Sequence, residues 1–453
     1  MNIPVYVMQA LNLLEEHGFQ AYLVGGCVRD SLLSLEPHDY DLTTDATPDK
    51  IKEVFKDYDT VLTGEAFGTI TVVIDKHLIE ITTFRADGNY DDHRHPTEVK
   101  FSKTLKEDLI RRDFSINAMA LDKSGKLYDY SNGYEDLQNK VIRCVGDPNT
   151  RFKEDPLRIL RAFRFAARFK FLIDAEVLKA VRKNSYLIKH VSNERIREEL
   201  EKIIIHEPAM IETMHENVIL KYILPEVDSL FYIEQRNPWH YTDVGHHTMD
   251  ALKYIEKFNL NDYEKKIVGL VLLFHDTGKI RTKTIDDDGI YHFKGHPEES
   301  YNITKDIVSR FKFLLNESEL ILKLVRYHDE NWLPKRRSLL TIVDTLNFSY
   351  DEFRLLGYIK EADLSAHNIT KEDNRVSNYL KLLKMYEQKL KDDKIFKESD
   401  LAITGDDIMK LLHIPPGQLV GEIKRDLFEL VFLNPSMNDK ETLLEYLRSI
   451  YEQ

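Results

Sequence analysis

The apolar positions of this chain change period twice. Near the N-terminus Val7, Leu11 and Leu14 recur at helical spacing behind Pro4, which predicts a helix over 4–17. Residues 21–24 form a short apolar run, and 40–42, 69–74 and 78–82 are rich in β-branched residues, so strands are expected there. Between them, 47–55 reads as a helix with Thr47 at its N-cap and Pro48 just inside. After Gly146, Asp147 and Pro148 the strand period disappears. Residues 149–205 keep helical spacing with almost no Gly or Pro, and 236–368 are helical and rich in His. The remainder reads as polar helices with turns at 404–406 and 415–417. The expected organisation is a mixed α/β head over 1–145, a helical neck over 146–235, an all-α domain over 236–370 and a helical tail over 371–453. No fixed-period repeat or low-complexity tract interrupts it.

Composition narrows the class. The 453 residues are about three times a usual domain length. With 42% hydrophobic residues, 22 Phe and 23 Tyr, a largely disordered chain is excluded. No apolar run reaches about 18 residues, so no membrane partner is expected. The N-terminal segment has no basic stretch and carries Glu15 and Glu16, which does not fit a signal peptide. The two cysteines, Cys27 and Cys144, lack metal or disulfide spacing, and a cytoplasmic setting is expected. The formal net charge of −14 argues against nucleic-acid binding by overall charge. Residues 151–190 invert that balance, with 11 Lys or Arg against 4 Asp or Glu. That segment is the best candidate for a surface facing a polyanion.

The first chemistry lies in the head. Gly25 and Gly26 follow a predicted strand, where a glycine pair lets backbone N–H groups approach phosphate closely. Arg29 follows one turn later and offers a charged fork. Asp39 and Asp41 then alternate along the next strand, so both carboxylates face one way. Two such carboxylates repel unless they share a hard cation such as Mg2+. Mg2+ held there would activate a hydroxyl and neutralise a leaving pyrophosphate. Glu80, on a later strand, is a possible third carboxylate. Arg112 and Asp113 suit contact with a triphosphate and a ribose. Residues 83–96 read as a polar, Gly-containing loop near the substrate.

A second group reads nucleobases. Pro156 suits the first turn of a helix, and Glu154, Asp155 and Arg158 then share one face by i,i+3 and i,i+4 spacing. A carboxylate accepts from the exocyclic amine of C or A, and a guanidinium donates to the ring atom beside it. U and G present the opposite pattern.

Together these motifs resemble the class II tRNA nucleotidyltransferases, the CCA-adding enzymes and bacterial poly(A) polymerases of the DNA polymerase β superfamily. The matching stretches are LVGGCVRD (23–30), DYD (39–41), TTFRADGNYDDHRHP (82–96), RRDFSINAMA (111–120), KEDPLRILRAFRFAARF (153–169) and NERIREEL (193–200). The resemblance implies a multidomain protein, a nucleotidyltransferase head followed by an all-α neck. It implies that Asp39 and Asp41 are catalytic and hold Mg2+, and that Gly25, Gly26 and Arg29 hold the triphosphate. Arg112 and Asp113 would contact phosphate and ribose. Glu154, Asp155 and Arg158 would select CTP and then ATP, with Arg161 and Arg164 further along the same helix. The partner would be tRNA, whose 3′-hydroxyl attacks the α-phosphate. The loop over 85–95 looks complete, which argues against a CC-only enzyme and leaves A-adding enzymes and poly(A) polymerases as alternatives.

A third group lies in the His-rich domain. His247, the adjacent pair His275 and Asp276, His296, His328 and Asp363 occur in the order H…HD…H…H…D. Burying an uncompensated Asp costs several kcal/mol, so His275-Asp276 after an apolar run asks for a metal or a partner. The order resembles the HD superfamily of metal-dependent phosphohydrolases. That implies His247, His275, Asp276 and Asp363 around one divalent transition metal or Mg2+, with His246 as the alternative first ligand. His296 and His328 would hold a second ion or contact phosphate, and Lys279 would stabilise charge. Substrates would be 2′,3′-cyclic phosphates or 3′-phosphates at RNA ends. Two rival readings make the chain mainly an HD hydrolase with a nucleotide-binding head, or an RNA-binding protein with both sites inert.

Overall fold

The computed structural model describes residues 3–62, 64–86, 100–235, 242–367, 373–392 and 397–451. The chain divides into two compact units, 1–228 with 310–312, and 229–309 with 313–453.

The first unit opens with α1 (Val5–Glu16), β1 (Ala21–Val24), α2 (Gly26–Leu32), β2 (Tyr40–Thr44) and α3 (Pro48–Val54). Thr47 precedes α3, but its side chain makes no capping hydrogen bond. Next come β3 (Thr60–Val61), β4 (Thr69–Ile74), β5 (His77–Thr83), the short pair β6 (Arg85–Ala86) and β7 (Lys100–Phe101), and α4 (Leu105–Ile110). β8 (Met119–Leu121), β9 (Leu127–Asp129), α5 (Gly133–Gln138) and β10 (Val141–Ile142) follow. Seven strands form one sheet in the order β3-β4-β5-β2-β1-β8-β9. Within it only β2 and β5 pair in parallel, with Asp41 opposite Glu80. β4 alternates half-buried and buried residues along TITVVI, the period a sheet with one covered face requires.

The helical part of this unit comprises α6 (Pro148–Glu154), α7 (Leu157–Phe169), the strand β11 (Leu172–Ile173), α8 (Ala175–Asn184), α9 (Asn193–His206), α10 (Met210–Glu216), α11 (Leu220–Ile223) and α12 (Pro225–Asp228). Asp147 caps α6, accepting from the N–H groups of Asn149 and Thr150. α7 buries Ile159, Leu160, Phe163, Ala166 and Ala167, while Arg158, Arg161, Arg164 and Arg168 line another stripe. Contacts run across the boundary expected near 145. β10 pairs with β11 across it, and Phe114 of the head meets Phe165 of α7 edge-on at 5.7 Å.

The second unit holds α13 (Val244–Tyr254), α14 (Asp262–Phe274), α15 (Lys279–Thr282), a hairpin of β12 (Thr284–Ile285) and β13 (Tyr291–His292), α16 (His296–Arg310), α17 (Leu315–Tyr327), α18 (Arg336–Leu340) and α19 (Tyr350–Ser365). It continues through α20 (Arg375–Asp392), α21 (Gly405–Leu412), α22 (Gln418–Leu433) and α23 (Lys440–Tyr451). Reciprocal caps, Asn261 with Glu264 and Ser349 with Glu352, start α14 and α19. Both helices, with α13 and α17, pack together. Among the described residues no helix is long and apolar enough to cross a membrane.

Candidate functional site

In the head, the turn from β1 into α2 brings Gly25 beside Asp41 and Arg112. Gly25 has φ +75°, and a Cβ there would lie 3.3 Å from Arg112 Nη1 and 3.9 Å from Asp41 Oδ2. Glycine is therefore required both by backbone conformation and by the closeness of the site. Asp41 lies on β2 and Asp39 just before it, not on the strand as expected. Glu80 leaves β5 directly across from Asp41. Burial, Glu80 and Asp39 push the Asp41 carboxyl up to about 6, against the pull of Arg112. Asp41 with Glu80 across the strand pair and Asp39 two residues before it offers oxygen ligands of the kind a hard cation such as Mg2+ takes.

Asp108 is a residue the motif pattern did not single out. It is wholly buried and takes Arg111 at 2.7 Å, Arg112 at 3.1 Å and the Arg85 N–H at 3.1 Å. Burial opposes its charge, but Arg112 and Arg111 hold its carboxyl well below the usual range. Asp108 thereby aims Arg112 at the Gly25 turn.

Arg29 is engaged inside the protein. It is 4% exposed. Its guanidinium donates to Asp30 at 2.8 Å and to Asn117 at 2.5 Å, and lies over Phe169 at 4.7 Å. It ties α2 to α7 and offers no free fork. Asp113 is engaged as well: it takes Arg161 at 2.5 Å, Asn117 at 3.1 Å and the Phe114 N–H at 2.8 Å. Burial opposes that charge too, and Arg161 and Arg158 hold the carboxyl low.

The base-reading group is not one helical face. α6 ends at Glu154, Asp155 is extended at φ −142° and ψ 103°, and α7 starts after Pro156. Proline forces that conformation on the residue before it. Arg158 reaches back over the break to Glu154 at 2.6 Å. Asp155 accepts from the Leu157 N–H at 3.0 Å and from Arg195 of α9 at 3.1 Å. Arg164 pairs with Glu199 at 2.9 Å and sits over Phe165 at 4.4 Å. Of the basic residues of 151–190, Arg151, Arg158, Arg161 and Arg164 are engaged internally, while Lys153, Arg168, Lys170, Lys179, Arg182, Lys183 and Lys189 are exposed. Most of the loop over 83–96, from 87 onward, lies outside the described residues.

In the second unit, His247 of α13, His275 and Asp276 after α14, His296 at the start of α16, His328 after α17 and Asp363 of α19 converge. His247 Nε2 is 2.9 Å from Asp363 Oδ1, and His275 Nε2 is 3.3 Å from Asp276 Oδ2. His296 Nε2 is 3.4 Å from Asp276 Oδ1 and 3.2 Å from His328 Nε2. The Nδ1 atoms of His247, His275, His296 and His328 each face a backbone carbonyl, of Ala366, Leu272, Phe293 and Val325, at 2.7 to 3.3 Å. A carbonyl only accepts, so each Nδ1 carries the proton and each Nε2 is turned to the shared centre. Two Nε2 lone pairs facing each other at 3.2 Å need a cation or a proton between them. Burial works against charge on His275, yet Asp276 and Asp363 hold a proton on it, up to about 10. The donor set fits a divalent cation. Lys279 meets Asp276 at 2.7 Å and Gln235 at 2.8 Å. His246 is excluded as a ligand here: it is half exposed and bonds Asp243 at 2.6 Å. Lys360, also unsignalled by sequence, is buried and donates to the carbonyls of His328 at 3.2 Å and Glu330 at 2.9 Å.

Family models match along the chain in the same order. They are the poly A polymerase head domain over 21–143 and the "Probable RNA and SrmB- binding site of polymerase A" over 170–231. The HD domain follows over 244–376, then tRNA nucleotidyltransferase domain 2 over 336–447. The CCA-adding enzyme of Ligilactobacillus salivarius is 31% identical over 457 residues, covering 100% of this chain and 98% of the relative. That of Lactobacillus helveticus is 48% identical over 202 residues, 45% of this chain and 50% of the relative. The Bacillus stearothermophilus CCA-adding enzyme in complex with CTP superposes with a TM-score of 0.72 at 22% identity, covering 100% of both chains. The Thermotoga maritima CCA-adding enzyme complexed with tRNA-CCA gives 0.57 at 22% identity, covering 99% and 96%. These likenesses establish the fold. With an HD domain joined to a polymerase-type head and a relative matched from end to end, the chain belongs to the CCA-adding enzyme family of nucleotidyltransferases.

Proposed function

We propose that this chain adds C, C and A to the 3′ end of tRNA, taking CTP and then ATP without a nucleic-acid template and releasing pyrophosphate. The observation that carries the reading is Asp41, set against the Gly25 turn and Arg112 and across from Glu80, with Asp39 two residues before it. Mg2+ bound by Asp39 and Asp41 would supply the charge that activates the attacking hydroxyl and neutralises pyrophosphate. The triphosphate lies over Gly25 and Gly26, where no side chain intervenes, and Arg112 clamps it. Asp108 fixes that clamp before substrate arrives, so its orientation costs little at the moment of reaction. Glu154, Asp155 and Arg158 present carboxylate and guanidinium to the Watson–Crick edge of C or A. Asp113 and Arg161 brace the segment behind the phosphate site. The exposed lysines and Arg182 of 153–189 face the tRNA backbone. Two buried free thiols, Cys27 and Cys144, fit a cytoplasmic setting.

A second activity has its own observation, the Nε2 atoms of His296 and His328 turned toward each other beside Asp276. The HD site hydrolyses 2′,3′-cyclic phosphates or 3′-phosphates, leaving the free hydroxyl that the head extends. A divalent metal held by His247, His275, Asp276 and Asp363 would polarise the phosphate and activate water. Lys279 sits at Asp276, placed to offset phosphate charge.

The test uses labelled CTP and ATP, singly and together, with Mg2+ and tRNA ending before CCA or after its two cytidines. CTP use on the bare end, then one ATP and a stop, is the expected result. ATP use on the CC end alone makes this an A-adding enzyme. Unlimited ATP addition makes it a poly(A) polymerase.

A further inference from the structure

Three imidazoles, not two, surround one oxygen of Asp363. His247 Nε2 stands 2.9 Å from Asp363 Oδ1, His275 Nε2 3.4 Å and His367 Nε2 3.6 Å. His367 follows Asp363 by four residues, just past the end of α19 at Ser365 and its C-cap Ala366. Its amide donates to the Leu364 carbonyl at 3.1 Å, which holds the turn. Its ring lies against that of His247 at 5.0 Å between centroids, and its side chain is 13% exposed. The motif that flagged the other histidines ends at Asp363 and does not reach it.

The distances have a simple reading. A metal with bonds of ~2.1 Å sets neighbouring ligand atoms ~3.0 Å apart in an octahedron and ~3.4 Å apart in a tetrahedron. The three separations from Asp363 Oδ1 fall at or near that range. We propose that His367 is a further ligand of the metal held by His247, His275, Asp276 and Asp363. The inference rests on the reading that the HD site holds a metal. It also specifies the ion's class. Three imidazoles with two carboxylates favour a first-row transition ion such as Mn2+, Co2+, Ni2+ or Zn2+ over Mg2+, which prefers oxygen.

The test is a Co2+ titration of the full chain in an Asp39→Ala, Asp41→Ala background, which removes the cation site of the head. Affinity and the visible d–d bands are read for this background, and then with His367→Ala, His367→Gln or His246→Ala added. Circular dichroism confirms that each is folded, and His367→Gln keeps the volume if the alanine variant is not. The expected result is a loss of about 10- to 100-fold in Co2+ affinity. It is accompanied by shifted bands for the His367 variants and none for His246→Ala. Unchanged affinity and bands in a folded His367 variant overturn the proposal. A background protein that binds neither Co2+ nor Mn2+ overturns the metal reading of the HD site itself.

Discussion

Asp155 bonds Arg195, forty positions along the chain, at 3.1 Å, while Arg158 turns to Glu154. With the Leu157 N–H on its other oxygen, the Asp155 carboxylate is held from two sides. Arg195→Ala removes one of them. Preference for CTP and ATP over UTP and GTP is expected to fall by about 10-fold, the scale of one good base contact. Arg195→Lys gives little rescue, because an ammonium does not reproduce a planar fork. Incorporation of each nucleotide measured alone checks this, and unchanged ratios count against a positioning role for Arg195.

Asp41 carries a proton more readily than an ordinary carboxyl, with its value pushed up to about 6. Between the ordinary carboxylate value and about 6, the metal-free folded chain holds more protons here than the unfolded chain. The stability linked to that proton is present at low pH and lost as pH rises through this window. Asp41→Asn should therefore stabilise the metal-free protein at about pH 7.5 and lose most of that advantage at about pH 4.5. Added Mg2+ should stabilise the parent but not the variant. Denaturation with a chelator at both pH values tests the sign.

Arg29 and Arg112 should part company on mutation. Removing the buried Arg29 leaves Asn117 Oδ1 without its donor and Asp30 with Arg168 alone, at 3.0 Å, and a loss of about 3 kcal/mol of stability is expected for Arg29→Ala. Arg112→Ala should stay folded and raise KM for both CTP and ATP. Urea titration with nucleotide kinetics on the two variants decides the matter. A folded Arg29→Ala with a raised KM would return that residue to the phosphate site.

The two chemistries should separate cleanly. Asp41→Ala is expected to abolish CMP and AMP incorporation and to spare phosphate release from 3′-phosphorylated RNA. His275→Ala with Asp276→Ala should do the reverse. Loss of both activities in either variant would refute two independent sites.

What sequence made legible was local. Asp39 and Asp41, the Gly25 turn and the His275-Asp276 pair are short patterns whose chemistry follows from spacing, and the structure brings each into a cluster. What it hid depends on partners far along the chain. Arg29 looks like a phosphate ligand until Phe165 and Phe169 close over it. Asp108 looks like a helix acid until Arg111, Arg112 and the Arg85 amide meet it. The turn at Asp155 did carry a signal, since the residue before Pro156 is driven out of helical conformation. Reading Pro156 only as a helix starter extended one helix face over two helices. The contact across 145 was hidden similarly, because a two-residue strand pairing, β10 with β11, has no hydrophobic period to announce it.

Pro156 also determines what kind of instrument the base-reading group is. On an unbroken helix the reach from Glu154 to Arg158 would be a constant of the helical lattice, like marks on a ruler. The break converts it into a caliper with two separately mounted jaws. One jaw is α6, with Arg151 clamped to the carbonyls of Val145 and Ile110. The other is α7, moored through Arg161 to Asp113. On the function proposed above, the Arg158–Glu154 pair at 2.6 Å is what must open to admit a pyrimidine and then a purine.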